Sequence, residues 1–311
     1  MQPTIVALGE VLWDVFPDAR HLGGAPLNFA VHCRSLGADA HVVSRVGMDD
    51  LGDEIVRAVA GFGLPLQTVQ RDPAHPTGTV KVTLDSAGRP TFEIVRDVAW
   101  DYIELTAEAK ALATKADALC FGTLAQRSSQ SRASIQTLLS LARRARLIVC
   151  DINFRQSFYT REIVEASLRA SNVLKLNETE LPALLGLLDQ KSGFSKKPDF
   201  SGAEREAVLR LMGIFDLELV CVTLGERGAI LHTRGREIRS PGYKVKVADT
   251  VGSGDAFTAG LVMKLLAGAP HEAALDYANL VGAYVASQPG ATPPLSAETL
   301  GQLVAKLPRP A

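Results

Sequence analysis

The sequence predicts an α/β protein: a doubly wound, mostly parallel sheet with helices on both faces, plus a small antiparallel β lid. Three observations predict it. Short apolar segments (TIVALGE, AHVVSRVG, ADALCFG, RLIVCDIN, SNVLKLN and LELVCVTLG) alternate with amphipathic stretches of helical spacing over most of the chain. Their apolarity is continuous, which marks strands buried on both faces and linked by helical crossovers. Between His75 and Asp101 the rhythm changes: Val80, Val82 and Leu84 alternate with polar residues, SAGRP makes a turn and TFEIV returns. That stretch reads as a hairpin with one wet face. With EVLWDVF near the start it supplies the lid, about residues 10–22 and 75–101 of a single domain spanning 1–311. No self-similar period appears, which excludes repeat architectures. The polar stretch from Asp189 to Glu204 reads as a surface loop.

Composition narrows the function classes. Hydrophobic residues make up 47% of the 311 and charged residues 22%, while Lys+Arg 33 nearly balance Asp+Glu 34. No excess charge draws the chain to nucleic acid or anionic lipid, so the expected partner is a small molecule, with neither nucleic acid nor membrane. The opening MQPTIVALGE lacks a basic segment leading into an apolar one, and no apolar run is long enough for a membrane span. A cytoplasmic protein is expected. Cys33, Cys120, Cys150 and Cys221 fall singly, three of them in apolar runs, and read as buried structural thiols.

Three motifs carry candidate chemistry. In DTVGSGDAF, residues 249–257, glycines stand before an apolar helical pattern, so the amides of Gly252, Ser253, Gly254 and Asp255 fall at a helix N-terminus and can point at an anion. Asp255 reads either as a plain N-cap or as a carboxylate that the chemistry needs beside that anion. In KLNETEL, Asn177 and Glu180 have capping-box spacing, yet Glu178 and Glu180 also put negative charge at the carboxyl end of a parallel strand, where magnesium can be held. In HLGGAPLNFAV, Gly23 and Gly24 enter a helix with Asn28 one turn inside and Asp14 upstream. Asp14 and Asn28 suit a polyol, and the alternative is an ordinary strand-to-helix turn.

GGAPLNFA followed by SRVGMDDLGDEI, together with DTVGSGDAF, resembles the signatures of the PfkB (ribokinase-like) family of sugar kinases, from about Ile5 to Pro293. GEVLWDVFP, GGAPLN and HPTGTV are most similar to the bacterial fructokinase branch, since ribokinases usually carry lysine after the paired glycines, where Ala25 and Pro26 stand here. The resemblance implies ATP and magnesium, Asp255 as general base, and an anion hole from the Gly252–Asp255 amides. It implies that Asn177 and Glu180 organise magnesium and phosphates, and that Thr223, Gly225, Gly228 and Asn279 enclose the nucleotide. Arg155, in a DINFR element, becomes a contact for phosphate or sugar, with a surface salt bridge as the alternative. Arg96, Trp100 and Asp101 are expected to line the sugar. Asp249 and Val251 lie in a loop that often binds a monovalent cation; valine replaces the threonine of many relatives, which leaves potassium open. Exposed apolar lid surface would favour a homodimer. D-Fructose is the expected substrate, with 2-keto-3-deoxygluconate or ribose as alternatives and a non-catalytic sugar sensor as the reading from another class. A dinucleotide-binding dehydrogenase is a third, disfavoured reading, because GSGD lies far toward the C-terminus and no G-x-G-x-x-G follows the first strand.

Overall fold

The computed structural model describes residues 2–84, 90–188 and 202–304. Most of the SAGRP turn and of the 189–204 stretch lies outside the described residues. The strands are β1 Thr4–Leu8, β2 Leu12–Val15, β3 Arg20–Gly23, β4 Asp39–Gly47, β5 Val69–Asp72, β6 Thr79–Leu84, β7 Pro90–Ile94, β8 Ala118–Phe121, β9 Leu147–Asp151, β10 Val173–Asn177, β11 Leu219–Thr223, β12 Ala229–Thr233 and β13 Glu237–Ser240. The helices are α1 Ala25–Ser35, α2 Asp50–Gly61, α3 Ala107–Lys115, α4 Ser129–Leu141, α5 Arg161–Arg169, α6 Glu180–Leu188, α7 Ala203–Phe215, α8 Ser253–Leu266, α9 His271–Ala286 and α10 Ala297–Val304.

A nine-stranded sheet runs in the order β13-β12-β11-β10-β9-β8-β1-β4-β5. From β5 to β11 every pairing is parallel, and β12 and β13 close one edge antiparallel. Successive residues of β1 feed opposite cores, as the two-residue period of a strand requires. Val6 and Leu8 pack with Leu119, Leu174 and residues of α4 to α7, whereas Ile5 and Ala7 pack with Cys120, Cys221 and residues of α1, α2, α8 and α9. All four cysteines are buried free thiols, as the apolar runs implied.

The chain leaves β1 toward β4 and β5, then returns to β8 on the other side. That reversal opens a crevice at the carboxyl ends of β1 and β8, the general location of ligands in open α/β sheets. Over it lies the lid, a four-stranded sheet of order β3-β2-β6-β7. Its two hairpins are antiparallel, and its central β2–β6 pair is parallel because those strands come from distant parts of the chain. Cross-strand register puts Asp14, His21, Val80 and Ile94 on one face. Among the described lid residues, Phe92 is the one large hydrophobic left exposed.

Arg127, just after β8, fastens the lid's return to the core. It donates to both Asp101 oxygens at 2.7 and 2.8 Å and to the Val95 carbonyl at 2.6 Å, and its guanidinium lies 3.9 Å from the centre of the Trp100 ring. Trp100 is fully buried and Asp101 is 5% exposed. The expectation that these two line the sugar is therefore corrected: both are spent on the lid's attachment. Arg127→Met should strand Asp101 as an unpaired buried charge and cost about 3–5 kcal/mol in urea unfolding. A loss below about 1 kcal/mol would show that the attachment does not depend on this pair.

Candidate active site

Helix α8 starts at Gly252, whose φ of 76° is left-handed and whose hydrogen faces the Ala291 backbone; a Cβ there would lie 2.4 Å from the Ala291 oxygen. Glycine is required on both counts. The Ser253 amide turns back to the Thr250 carbonyl at 3.3 Å, and the first bond inside the helix runs from Ala256 to Gly252. Within the expected cradle, Ser253 thus has its own acceptor, while Gly252, Gly254 and Asp255 leave their amides for an incoming anion. Asp249 braces the preceding turn, accepting from the Val251 amide at 3.0 Å and the Gly290 amide at 3.2 Å. Val251 itself points to solvent.

Asp255 does not cap its helix: α8 has no side-chain cap. Its Oδ2 instead accepts from Asn28 Nδ2 at 2.8 Å, joining α8 to the neighbouring helix α1. Burial and the nearby Asp151 carboxylate push its pKa up to about 6, against the Asn28 hydrogen bond and the charges of Lys175 and Arg155. This carboxylate can ionise near neutrality and still accept a proton, the balance a general base needs.

Gly24 occupies the entry to α1 at φ 111°, where a Cβ would sit 2.4 Å from the Glu10 carbonyl. Gly23 lies beside the Asp14 carboxylate. Asp14 has no hydrogen-bond partner among the described residues, and burial raises its pKa, opposed by His21 and Arg155. Two free oxygens on the lid's inner face thus stand ready for ligand hydroxyls. Arg155 is exposed, forms no ion pair among the described residues, and is close enough to act on Glu10, Asp14 and Asp255. Its alternative reading as a surface salt bridge is not realised. Arg96 is also exposed, with its guanidinium 4.6 Å from the Phe158 ring centre.

At the end of β10 the capping box is real. Asn177 Oδ1 accepts from the Glu180 amide at 2.9 Å, and Glu180 Oε2 accepts from the Asn177 amide at 2.8 Å. Glu180 does more than cap, because its Oε1 also accepts from the Phe154 amide at 3.1 Å and ties the DINFR loop to β10. Glu178 pairs with Arg227. No group of three or more His, Cys, Asp or Glu side chains converges among the described residues. A magnesium ion here would therefore take few protein ligands and rely on phosphates and water, its usual habit.

Beyond β11 lies a cleft of about 720 Å³, lined by Thr223, Gly225, Gly228, Lys244, Asn279 and, at its inner end, Ser253 and Gly254. The volume suits a nucleotide-sized ligand. Asn279 holds the cleft wall by donating to the Ser240 carbonyl at 3.2 Å. The start of α8 thus lines this cleft with Ser253 and Gly254, while Asp255 in the same turn faces Asn28.

Sequence reasoning missed three buried charges around Asp255. Lys175 pairs with Asp151 at 3.1 Å in the floor of the site. Glu10 is 4% exposed with an unpartnered Oε2, and burial pushes its pKa up to about 7. A lysine inside the apolar run VLKLN and the aspartate that opens DINFR were the available signals.

A family model described as pfkB family carbohydrate kinase matches residues 8–298. A fructokinase from Klebsiella pneumoniae is 30% identical over 278 residues, covering 86% of each chain. The structure of a fructokinase double mutant from Vibrio cholerae O395, bound to fructose, ADP and potassium ion, superposes with a TM-score of 0.80 at 25% identity, over 97% of this chain and 98% of that one. An aminoimidazole riboside kinase from Salmonella enterica shares the fold, with a TM-score of 0.78 at 21% identity over 96% and 99% of the two chains. No helix among the described residues is long and apolar enough to cross a membrane. The chain belongs to the pfkB family of carbohydrate kinases, phosphotransferases acting on a sugar hydroxyl.

Proposed function

We propose that the chain is an ATP-dependent fructokinase, converting D-fructose and ATP to fructose 6-phosphate and ADP. The observation that carries this is Asp255: a carboxylate at the open N-terminus of α8, between the face that bears Asp14 and the nucleotide-sized cleft. The fructokinase relative at 30% identity and the fructose-bound structure support the choice of sugar. Four unpaired buried cysteines suit a reducing cytoplasm.

In this reading Asp14 grips sugar hydroxyls, Asn28 supports them and orients Asp255, and the terminal hydroxyl faces the base. Asp255 takes the hydroxyl proton as the sugar oxygen bonds to the γ-phosphorus and the bridge to the β-phosphate breaks. Charge on the transferring group is met by the Gly252, Gly254 and Asp255 amides and the α8 dipole, so positioning and electrostatics carry the rate. Thr223, Gly225, Gly228 and Asn279 hold the nucleotide. Glu180, directly or through water, would help to hold magnesium, which when bound would neutralise phosphate charge. The Asp249–Val251 turn would hold a monovalent cation. The lid, closing over the sugar, excludes water that would otherwise accept the phosphoryl group.

Arg155 favours one second reading. An unpaired cation near Asp14 suits an acidic sugar such as 2-keto-3-deoxygluconate. ADP release measured with fructose, 2-keto-3-deoxygluconate and ribose in turn separates the readings: fructose should give the highest kcat/KM, and preference for the keto acid would transfer the assignment.

Three predictions follow from the residues. Asp255→Asn keeps the cradle but removes the base and should lower kcat by about 10²-fold or more; near-normal turnover would remove Asp255 from the chemistry. Because the base must be ionised and its pKa is raised to about 6, wild-type kcat/KM for the sugar should fall as pH drops through about 6. A profile flat to pH 4.5 would contradict that assignment. Asp14→Ala leaves sugar hydroxyls unpaired and should cost about 1–3 kcal/mol in fructose kcat/KM, with KM for ATP nearly unchanged. Intact fructose kinetics would place the sugar elsewhere.

A further inference from the structure

Lys175, Asp151 and Glu10 are buried charges that the reading above leaves without a task, and the first two form a pair. Lys175 stands in the middle of β10 between Leu174 and Leu176, both fully buried, and is itself 7% exposed. An apolar side chain would satisfy the sheet at lower desolvation cost, since a buried ion pair is rarely more stable than a hydrophobic replacement. The pair is therefore hard to explain as a stabiliser alone.

Its position suggests another use. Lys175 Nζ lies 3.1 Å from Asp151 Oδ1, and the other Asp151 oxygen accepts from Thr258 Oγ1 at 3.1 Å. Thr258 sits on α8 one turn below the cradle, and its single hydroxyl proton is shared between that Asp151 oxygen and the Gly254 carbonyl, 3.0 Å away. The ammonium packs against the cradle backbone, so close that a Cβ on Gly254 would be 3.2 Å from Nζ. Two adjacent strands and the catalytic helix thus meet in one buried network directly under Asp255.

We propose that the Lys175–Asp151 pair, fastened to α8 through Thr258, is a positioning element that sets the proton affinity of Asp255. This rests on the reading of Asp255 as the base. The two charges have opposite sign and act in opposite directions: Asp151 favours the protonated base, and Lys175 favours the ionised one. The other groups facing Asp255 are Asn28 from α1, Glu10 from the turn after β1, the buried Cys120 thiol from β8, Arg155 from the loop after β9, and the N-terminus of α8 itself. None of these is altered by exchanging the pair.

The test is a carbon-13 NMR titration of aspartate-labelled protein, with the Asp255 carboxyl signal assigned by its loss in Asp255→Asn. Lys175→Gln keeps a hydrogen bond to Asp151 without the charge, and should raise the Asp255 midpoint by about one pH unit. Asp151→Asn should lower it by a similar amount, and the double variant should return within about half a unit of wild type. Lys175→Arg, which keeps the charge, should hold the midpoint within the same margin. Circular dichroism establishes that each variant is folded; if Asp151→Asn is not, the contrast between Lys175→Gln and Lys175→Arg decides alone. Midpoints that stay put in folded variants, or move the same way in both single exchanges, would overturn the proposal. The titration needs no turnover, so a chain that phosphorylates no sugar yet shows opposed shifts would separate failure of the kinase reading from failure of this one. In an active kinase the acid limb of kcat/KM should move with the NMR midpoint.

Discussion

A carboxylate beside a phosphate cradle is the constraint around which this molecule is arranged. The open amides at the start of α8 attract anions, and Asp255 in the same turn repels them. Both can work in one site only if the carboxylate faces away from the phosphate and toward the acceptor. Asn28 fixes that direction from α1, the helix packed beside α8. The crevice exists because the chain reverses between β1 and β8, and in the proposed reading the residues that would face the sugar lie on one side of Asp255 and the cleft that would take the nucleotide on the other.

Burial adds a second consequence. Asp255 shares its surroundings with Asp151, Glu10, Lys175 and Arg155, so its ionisation is a property of the group rather than of one residue. Glu10, 4% exposed and with one oxygen lacking a partner, shows how far from water this floor is, and that burial raises its pKa. A base that burial lifts toward neutrality, with Asp151 adding to the rise and Asn28, Lys175 and Arg155 opposing it, can take a proton near neutral pH. Arg127 plays a separate mechanical part. By holding Asp101, Val95 and Trp100 it anchors the lid's return strand while leaving the inner face of β2 free.

Much of this was legible in the sequence because local signals agreed with the fold. Continuous apolar runs marked the parallel strands, alternation marked the β6–β7 hairpin, and glycines before a helical pattern marked the cradle. The reciprocal Asn177–Glu180 box also follows from spacing alone. What sequence could not give is anything set by contacts between distant segments. Trp100 and Asp101 looked available for sugar until Arg127, 26 residues beyond Asp101, took them up. The parallel β2–β6 pair depends on strands far apart in the chain, which no local period encodes. The partners of Lys175 lie on β9 and α8, so its charge could be noticed in VLKLN but not interpreted.

The central claim is that a sugar hydroxyl meets Asp255 at the mouth of the α8 cradle. A crystal structure of the ternary complex with D-fructose and an unreactive ATP analogue tests it most directly. The account predicts the terminal hydroxyl oxygen within about 2.6–3.2 Å of an Asp255 carboxylate oxygen, with the terminal phosphate at the Gly252, Gly254 and Asp255 amides. Fructose bound with that hydroxyl away from Asp255, or a nucleotide whose terminal phosphate lies outside the cradle, would contradict it.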